Sequence, residues 1–294
     1  MTRWLVTGAH GMVGRELLHI LGRDPGARVT GAARDDLDIT DPAAVRAAVY
    51  EHDIVINAAA YTDVDRAEAD EEQALAVNGR AVGGLAKACA GSGARLLHIS
   101  TDYAFAGDSS FPYSEYAPPR PVNAYGRSKV AGERAVAALL PGSGYVVRTT
   151  WLYGEHGMNF VKTILRRTAA GDQLRVVNDQ HGAPTWSRAL ALRLVELGHR
   201  ALDGRAPAGI YHGSATGQAT WYGLARAVLE RVGLDADRVS PCSTTALSRS
   251  APRPAYSVLS QDRWALAGLG PMAPWRHMLH DALPGGPDAP FAPP

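Results

Sequence analysis

The segment Trp4-Leu-Val-Thr7, running into Gly8-Ala-His-Gly11-Met-Val-Gly14 and then an amphipathic stretch to Leu21, limits what this chain can fold into. A short apolar run that opens on glycines and passes into a helical pattern is a strand, a tight turn and a helix. In a G-x-x-G-x-x-G spacing the first glycine allows the turn, and the second lets backbone approach a pyrophosphate. The third lets the helix pack closely on the strand. The helix N-terminus then offers free N–H groups and the positive end of its dipole to phosphate. Gly8, Gly11, Met12, Val13 and Gly14 are the candidate dinucleotide contacts.

The same rhythm continues downstream. Residues 28–33 read as a second strand, and Asp41 caps a helix that starts on Pro42 and runs to Tyr50. The strand read over 53–57 is continuously apolar between Asp53 and Asn57, the pattern of a strand buried on both faces. A long helix is predicted from about Ala67 to Cys89, then a strand at 95–100, a helix carrying Tyr125 to about Leu140, and a strand at 145–149. Such alternation predicts an α/β fold: a Rossmann-type, doubly wound parallel sheet with right-handed crossovers.

After Trp151 the rhythm weakens. Helical stretches at 159–170, 187–199 and 220–232 stand between Gly- and Pro-rich loops, with strands near 174–177 and 210–212. The expected organisation is a dinucleotide-binding domain over 1–152, with returning segments near 183–213. A smaller substrate lobe over 153–283 and a disordered Pro-rich tail at 284–294 complete it.

Net charge of +1 across 294 residues argues against a broad electrostatic surface for nucleic acid or membrane. No apolar run reaches membrane length, and the first residues pass into a strand without a signal pattern. Cys89 and Cys242 stand alone, without metal-type spacing, as suits a reducing cytoplasm.

The chemistry is carried by Tyr125-Gly-Arg-Ser-Lys129, since residues four apart share one helix face. With 11 Tyr and only three Lys in the chain, chance placement gives about 0.1 such pairs. A phenol beside an ammonium is a proton donor and acceptor whose pKa can fall towards neutrality. With the glycine run, the pair describes hydride transfer to or from a carbonyl.

Ligands of a doubly wound sheet sit at the C-terminal ends of its strands. There the sequence places Arg34 after the second strand, with Asp35 and Asp36 behind it. An arginine first in line favours a 2′-phosphate, hence NADPH; the acids keep NADH open. Asp38 and Ile39 can reach the adenine. Ala58, Ala59, Ala60 and Tyr61 follow the third strand, where small side chains let a cofactor pass. Ser100, Thr101, Asp102 and Tyr103 end the next strand, and the Thr101 hydroxyl can hold a substrate carbonyl near Tyr125.

These motifs resemble the extended short-chain dehydrogenase/reductases, and within them the dTDP-4-dehydrorhamnose reductase family. The resemblance includes Trp151-Leu-Tyr153, Asn159-Phe-Val-Lys162, Val177-Asn-Asp-Gln-His-Gly-Ala-Pro-Thr185, Tyr211-His212 and Ala251-Pro-Arg-Pro254, spanning about 3–283. It implies reduction of the C4 ketone of a dTDP-4-keto-6-deoxyhexose by NADPH. Tyr125 is then the general acid, and Lys129 lowers its pKa and holds the nicotinamide ribose. Thr101 stands in the place of the superfamily's Ser. Thr101, Asp102 and Tyr103 touch the sugar, Trp151 lines its pocket, and Asn159, Gln180 and Arg253 bind the diphosphate. A core aromatic at Trp151 and a surface charge at Arg253 are the competing readings. Some members bind Mg²⁺ between subunits through carboxylates. Here Glu16 fills one position, but the segment after Thr185 carries Arg188 and no acid before Glu196. No metal is therefore expected, and a monomer or weak homodimer is. A sister ketosugar reductase of antibiotic biosynthesis, such as a dihydrostreptose synthase, remains an alternative. So does a non-catalytic regulatory subunit of the same fold.

Overall fold

The chain opens with β1 (Thr2–Thr7), α1 (Met12–Leu21) and β2 (Ala27–Ala32), and the two strands pair in parallel. The computed structural model describes residues 1–283, so the tail expected to be disordered lies outside the described residues. α2 (Pro42–Tyr50) starts as the sequence suggests: the Asp41 carboxylate accepts hydrogen bonds from the N–H groups of Ala43 and Ala44. β3 (Ile54–Asn57) follows, buried along its whole length.

The long helix expected over 67–89 is broken. α3 (Val64–Ala67) is capped by Asp63, and α4 (Glu71–Leu75) begins after Asp70 leaves helical geometry at φ −138°. A π turn at Ala76–Arg80 then leads into α5 (Ala81–Ser92). β4 (Arg95–Thr101), α6 (Ala124–Leu139) and β5 (Gly144–Thr149) complete the run of alternation.

Beyond it come β6 (Leu152–Tyr153), α7 (Phe160–Ala169), β7 (Leu174–Val177), β8 (His181–Gly182) and β9 (Thr185–Trp186). α8 (Ser187–Leu202) packs on α1, and β10 (Gly209–His212) pairs with β5. The chain ends with β11 (Ala219–Thr220), α9 (Trp221–Arg231), β12 (Val239–Cys242) and α10 (Trp275–Ala282).

The central sheet is wholly parallel, in the order β10-β5-β4-β3-β1-β2. The chain runs outward from β1 to β2 and then crosses to β3 on the other side. That reversal opens a crevice beyond the C-terminal ends of β1 and β3. Alternation along β1 feeds two cores. Trp4 and Val6 join Leu17, Leu190 and Leu194 on one face, while Leu5 joins Val45, Val55 and Leu85 on the other. A third core, with Tyr153, Ile164, Leu224, Val228 and Met278, holds the smaller lobe together. No helix among the described residues is long and apolar enough to cross a membrane.

Candidate active site

The glycine turn closes over the end of β3. Gly8 has φ +68°, and a Cβ there would lie 2.6 Å from Ala59 N and 2.7 Å from the Ala58 carbonyl carbon. A Cβ on Gly14 would meet the Gly8 carbonyl oxygen at 2.3 Å. Any larger residue would fill the cradle. α1 has no side-chain cap at Gly11, so the N–H groups of its first turn are left without a capping side chain. Half-buried Ala58, Ala59 and Ala60 floor the crevice. Asn57 fixes it by accepting from Thr7 Oγ1 (2.6 Å) and Ala59 N (3.2 Å), with its amide 3.0 Å from His98 Nδ1. This cradle fits a dinucleotide pyrophosphate.

At the adenosine end, Arg34 and Asp35 are exposed, while Asp36 turns back to accept from Ala33 N (2.9 Å). Hydrogen bonds from Thr40, and then the Arg34 charge, hold the Asp38 carboxyl below its usual range. Ile39 is buried with Leu37 in the core beneath α2, so its side chain supports the site from below.

Tyr61 and Tyr125 both pack against the small cluster of Ala67, Ala74 and Ala124, and the Tyr61 N–H donates to Asn78 Oδ1 (2.9 Å). Asn78 sits in the π turn, and its Nδ2 donates to the Tyr61 carbonyl and to Ser128 Oγ, each at 2.9 Å. Ser128 Oγ in turn donates to the Tyr125 carbonyl (2.7 Å). A π turn is common where a helix is bent to serve a site, and here it ties the crevice to the Tyr125 helix. The one sequence signal for Asn78 is an amide inside an otherwise helix-forming run.

α6 is pressed against the end of β4. Asn123 caps it, accepting from Gly126 N (2.7 Å) and donating to the Pro252 carbonyl (2.9 Å). A Cβ at Gly126 would lie 2.3 Å from the Tyr103 carbonyl oxygen. That close approach brings the half-buried Tyr125 to Thr101, which hydrogen-bonds its phenol, and sets the Tyr103 ring edge-on at 5.8 Å. Lys129 lies one turn on, buried, with Nζ donating to the Ile99 carbonyl (2.7 Å).

The electrostatics correct one expectation. The Tyr125 phenol is not lowered; burial, with the Asp102 charge adding to it against the Thr101 bond, pushes it up to about 12. Lys129 spends its hydrogen bond on a neutral carbonyl, and burial brings its own pKa down to about 8. Desolvation disfavours whichever form is charged, so it moves phenol and ammonium in opposite directions.

Asp102 is 3% exposed. Its carboxylate accepts from Thr101 Oγ1 (3.1 Å) and Thr150 Oγ1 (2.8 Å), with Ser257 nearby lowering its pKa, and burial still raises it to about 6. Ser100 points instead to Glu133, at 2.5 Å. Ser257 belongs to a strap at 255–260 stitched to both lobes. His181 N donates to Ala255 O, Ser257 N to His181 O, Tyr113 N to Val258 O and Ser260 N to Tyr113 O. Sequence reading missed Ser257, Thr150 and Asn78.

In the smaller lobe, Trp151 has φ +45° and stacks on Trp221 at 3.6 Å, 9° from parallel. Trp221 Nε1 donates to Gln180 Oε1 (3.2 Å), and Gln180 Nε2 donates to Thr244 Oγ1 (3.0 Å). Asn159 caps α7 by accepting from Lys162 N (3.1 Å) and donates to the Gly154 carbonyl (2.8 Å). The side chain of Arg253 is only 8% exposed, which excludes the surface-charge reading, and it forms a two-pronged pair with Asp65 (3.1 and 2.8 Å). In this structure Asn159, Gln180 and Arg253 are thus engaged with protein partners. The Arg188 guanidinium lies 4.0 Å from the buried Glu16 carboxylate, and no group of three His, Cys, Asp or Glu among the described residues could hold a metal ion.

The parallel sheet, the glycine cradle and the Tyr125–Lys129 helix define a Rossmann-type protein of the extended short-chain dehydrogenase/reductase class. Comparison narrows this: residues 2–285 match the model of the RmlD substrate binding domain, and the chain belongs to that family. It is 53% identical over 284 residues to a dTDP-4-dehydrorhamnose reductase of Streptomyces griseus, covering 96% of this chain and 93% of that one. It is 46% identical over 284 residues to a dTDP-4-keto-6-deoxy-D-glucose reductase of Streptomyces niveus, covering 96% of both chains. A dTDP-4-dehydrorhamnose reductase from Bacillus anthracis, solved in complex with NADP, superposes with a TM-score of 0.90 at 36% identity. That match covers 96% of this chain and 98% of the other.

Proposed function

We propose that the protein reduces the C4 ketone of a dTDP-4-keto-6-deoxyhexose with NADPH, as a dTDP-4-dehydrorhamnose reductase. The observation that carries this reading is the convergence of Thr101, Tyr125 and Lys129 on one crevice beside the glycine cradle, in a chain 53% identical to a reductase of that name. Gly8, Gly11 and the first turn of α1 would hold the pyrophosphate, Arg34 would take the 2′-phosphate, and Lys129 would take the nicotinamide ribose. Bound NADPH supplies hydride to the carbonyl carbon.

The rest is the work of the chain. With its pKa near 12, Tyr125 keeps its proton across the neutral range. An alkoxide is more basic still, so the phenolic proton passes to the carbonyl oxygen as hydride arrives. Lys129, cationic below about pH 8, offsets the tyrosinate left behind. Thr101 keeps the phenol oriented, and the strap at 255–260 with Trp151 walls off the sugar. The protein works as a soluble cytoplasmic monomer or weak homodimer, without metal.

The relative at 46% identity that carries a different ketosugar name supports a second reading, a sister dTDP-ketosugar reductase. NADPH oxidation across a panel of dTDP-4-keto-6-deoxyhexoses, with the products identified by NMR, decides between the two. No turnover of any member by a folded, NADPH-binding protein would refute both and favour a regulatory subunit.

A further inference from the structure

Beneath the catalytic helix face lies a buried ion pair that the reaction above does not use. Glu133 is one turn beyond Lys129 and two beyond Tyr125, on the same face of α6. Its side chain is 4% exposed and that of Arg148, on β5, is 1% exposed. Glu133 Oε1 accepts from Arg148 Nε (2.9 Å) and Ser100 Oγ (2.5 Å), and Oε2 accepts from Arg148 Nη2 (2.6 Å). Arg148 also lies over the Phe105 ring at 4.9 Å, and its Nη1 has no hydrogen-bond partner. The carboxylate is therefore clamped from two strands, one helical turn from Lys129 along α6.

Lys129 needs such a neighbour. Its ammonium is buried, and its hydrogen bond goes to the uncharged Ile99 carbonyl. The groups around it give little other help. His98 on β4 is buried and held neutral, by desolvation first and then by the Lys129 charge itself. Tyr125 on α6 is neutral, and Asp102 beyond β4 is taken up by hydroxyl groups. Arg148 on β5 is a cation, already paired with Glu133.

We propose that Glu133 is a positioning residue of the reductase: clamped by Arg148 and Ser100, its fixed carboxylate keeps the buried Lys129 ammonium charged so that it can oppose the tyrosinate of Tyr125. Glu133 touches neither substrate nor cofactor and acts through Lys129. The Glu133 charge raises the Lys129 pKa against the larger effect of burial, consistent with this role. The inference rests on the catalytic reading of Lys129 for its effect on turnover, but not for its effect on the ammonium.

The chain has only three lysines, Lys87, Lys129 and Lys162, so lysine labelled with ¹³C at Cε gives three NMR signals, and a Lys129→Met variant assigns the relevant one. Titration without cofactor should show Lys129 losing its proton near pH 8 in the wild type. In Glu133→Gln the midpoint moves to lower pH, and the charged fraction at pH 8 falls at least about threefold. Because Glu133→Gln strands a buried guanidinium, Glu133→Gln/Arg148→Met is measured beside it as a variant with no unpaired core charge. A downward move in the same direction but smaller is expected there, because the opposing Arg148 charge is removed as well, and the basic limb of the kcat profile should move with it. A folded variant whose Lys129 titrates as in the wild type would overturn the proposal. If Lys129 shifts while kcat shows no basic limb, Glu133 does hold the ammonium, and it is the role of Lys129 in turnover that fails.

Discussion

Replacing Gly182 with alanine tests how the sugar side of the crevice is built. A Cβ at this position would lie 2.4 Å from Trp151 Cε2 and 2.7 Å from Cζ2 and Nε1. The indole cannot retreat, because Trp221 is stacked behind it at 3.6 Å and the Trp151 backbone is held at φ +45°. Forcing a methyl group into a packed site costs about 1–3 kcal/mol, and disturbing the aromatic pair adds about 0.5–1.5 kcal/mol. Against this, alanine stiffens the unfolded chain by about 0.4–1 kcal/mol. The net expectation is a loss of about 1–3 kcal/mol by urea denaturation with an unchanged m-value. The sugar-nucleotide KM should rise several-fold while NADPH binding, measured by fluorescence, stays at the wild-type level. Gly84 on α5 has nothing within 4 Å of its Cβ position, so Gly84→Ala is the matched control and should stabilise by about 0.5–1 kcal/mol. Wild-type stability and KM in Gly182→Ala would show that Trp151 is free to move and that the stacked pair is not a fixed wall.

Four further outcomes are expected. Tyr125→Phe keeps the ring and removes the proton, so NADPH should still bind while kcat falls about 10²–10⁴-fold; more than half of wild-type kcat would remove Tyr125 as the acid. Arg34→Ala should weaken NADPH by about 1.5–3 kcal/mol in titration calorimetry and leave NADH nearly unchanged; equal losses would mean that another group reads the 2′-phosphate. Asp102 is harder to ionise when folded, at about 6, than in the unfolded chain, at about 3.9. Its cost is therefore absent below pH ~4 and grows as pH rises to ~6, so Asp102→Asn should gain stability relative to wild type over that window; a difference independent of pH would contradict the assignment. EDTA should leave activity intact, and Mg²⁺ should not change the mass seen by light scattering; activity lost to EDTA and restored by Mg²⁺ would show that Arg188 does not displace a metal from Glu16.

The strands and their caps were legible because local pattern decides them: the apolar run of β3 and the Asp41–Pro42 start of α2 stand where the sequence puts them. The π turn within the long helical stretch was not, because Asn78 spends its amide on the Tyr61 backbone and on Ser128, a tertiary use that no periodicity announces. Tyr125 and Lys129 were legible as candidates from their spacing together with the glycine run. The direction of their pKa shifts was not, since it comes from desolvation by neighbours distant in the chain. Thr150 and Ser257 carry ordinary hydroxyls in ordinary stretches, and only the fold turns them towards Asp102. Arg253 was legible as a site candidate, yet its Asp65 partner lies 188 positions away.

That separation bears on how the molecule comes to life on the ribosome. The glycine turn, β4 and α6 emerge early and can begin to collapse as local units. The carboxylate between Thr101 and Thr150 is joined by Ser257 only when the strap at 255–260 has been made. β10, which completes the sheet at its far edge, is also late. Closing such long loops is the slow, high-contact-order part of assembly. A nascent chain halted before residue 250 is therefore expected to hold the glycine cradle and still lack a working crevice, so that cofactor affinity precedes catalysis in the life of each molecule.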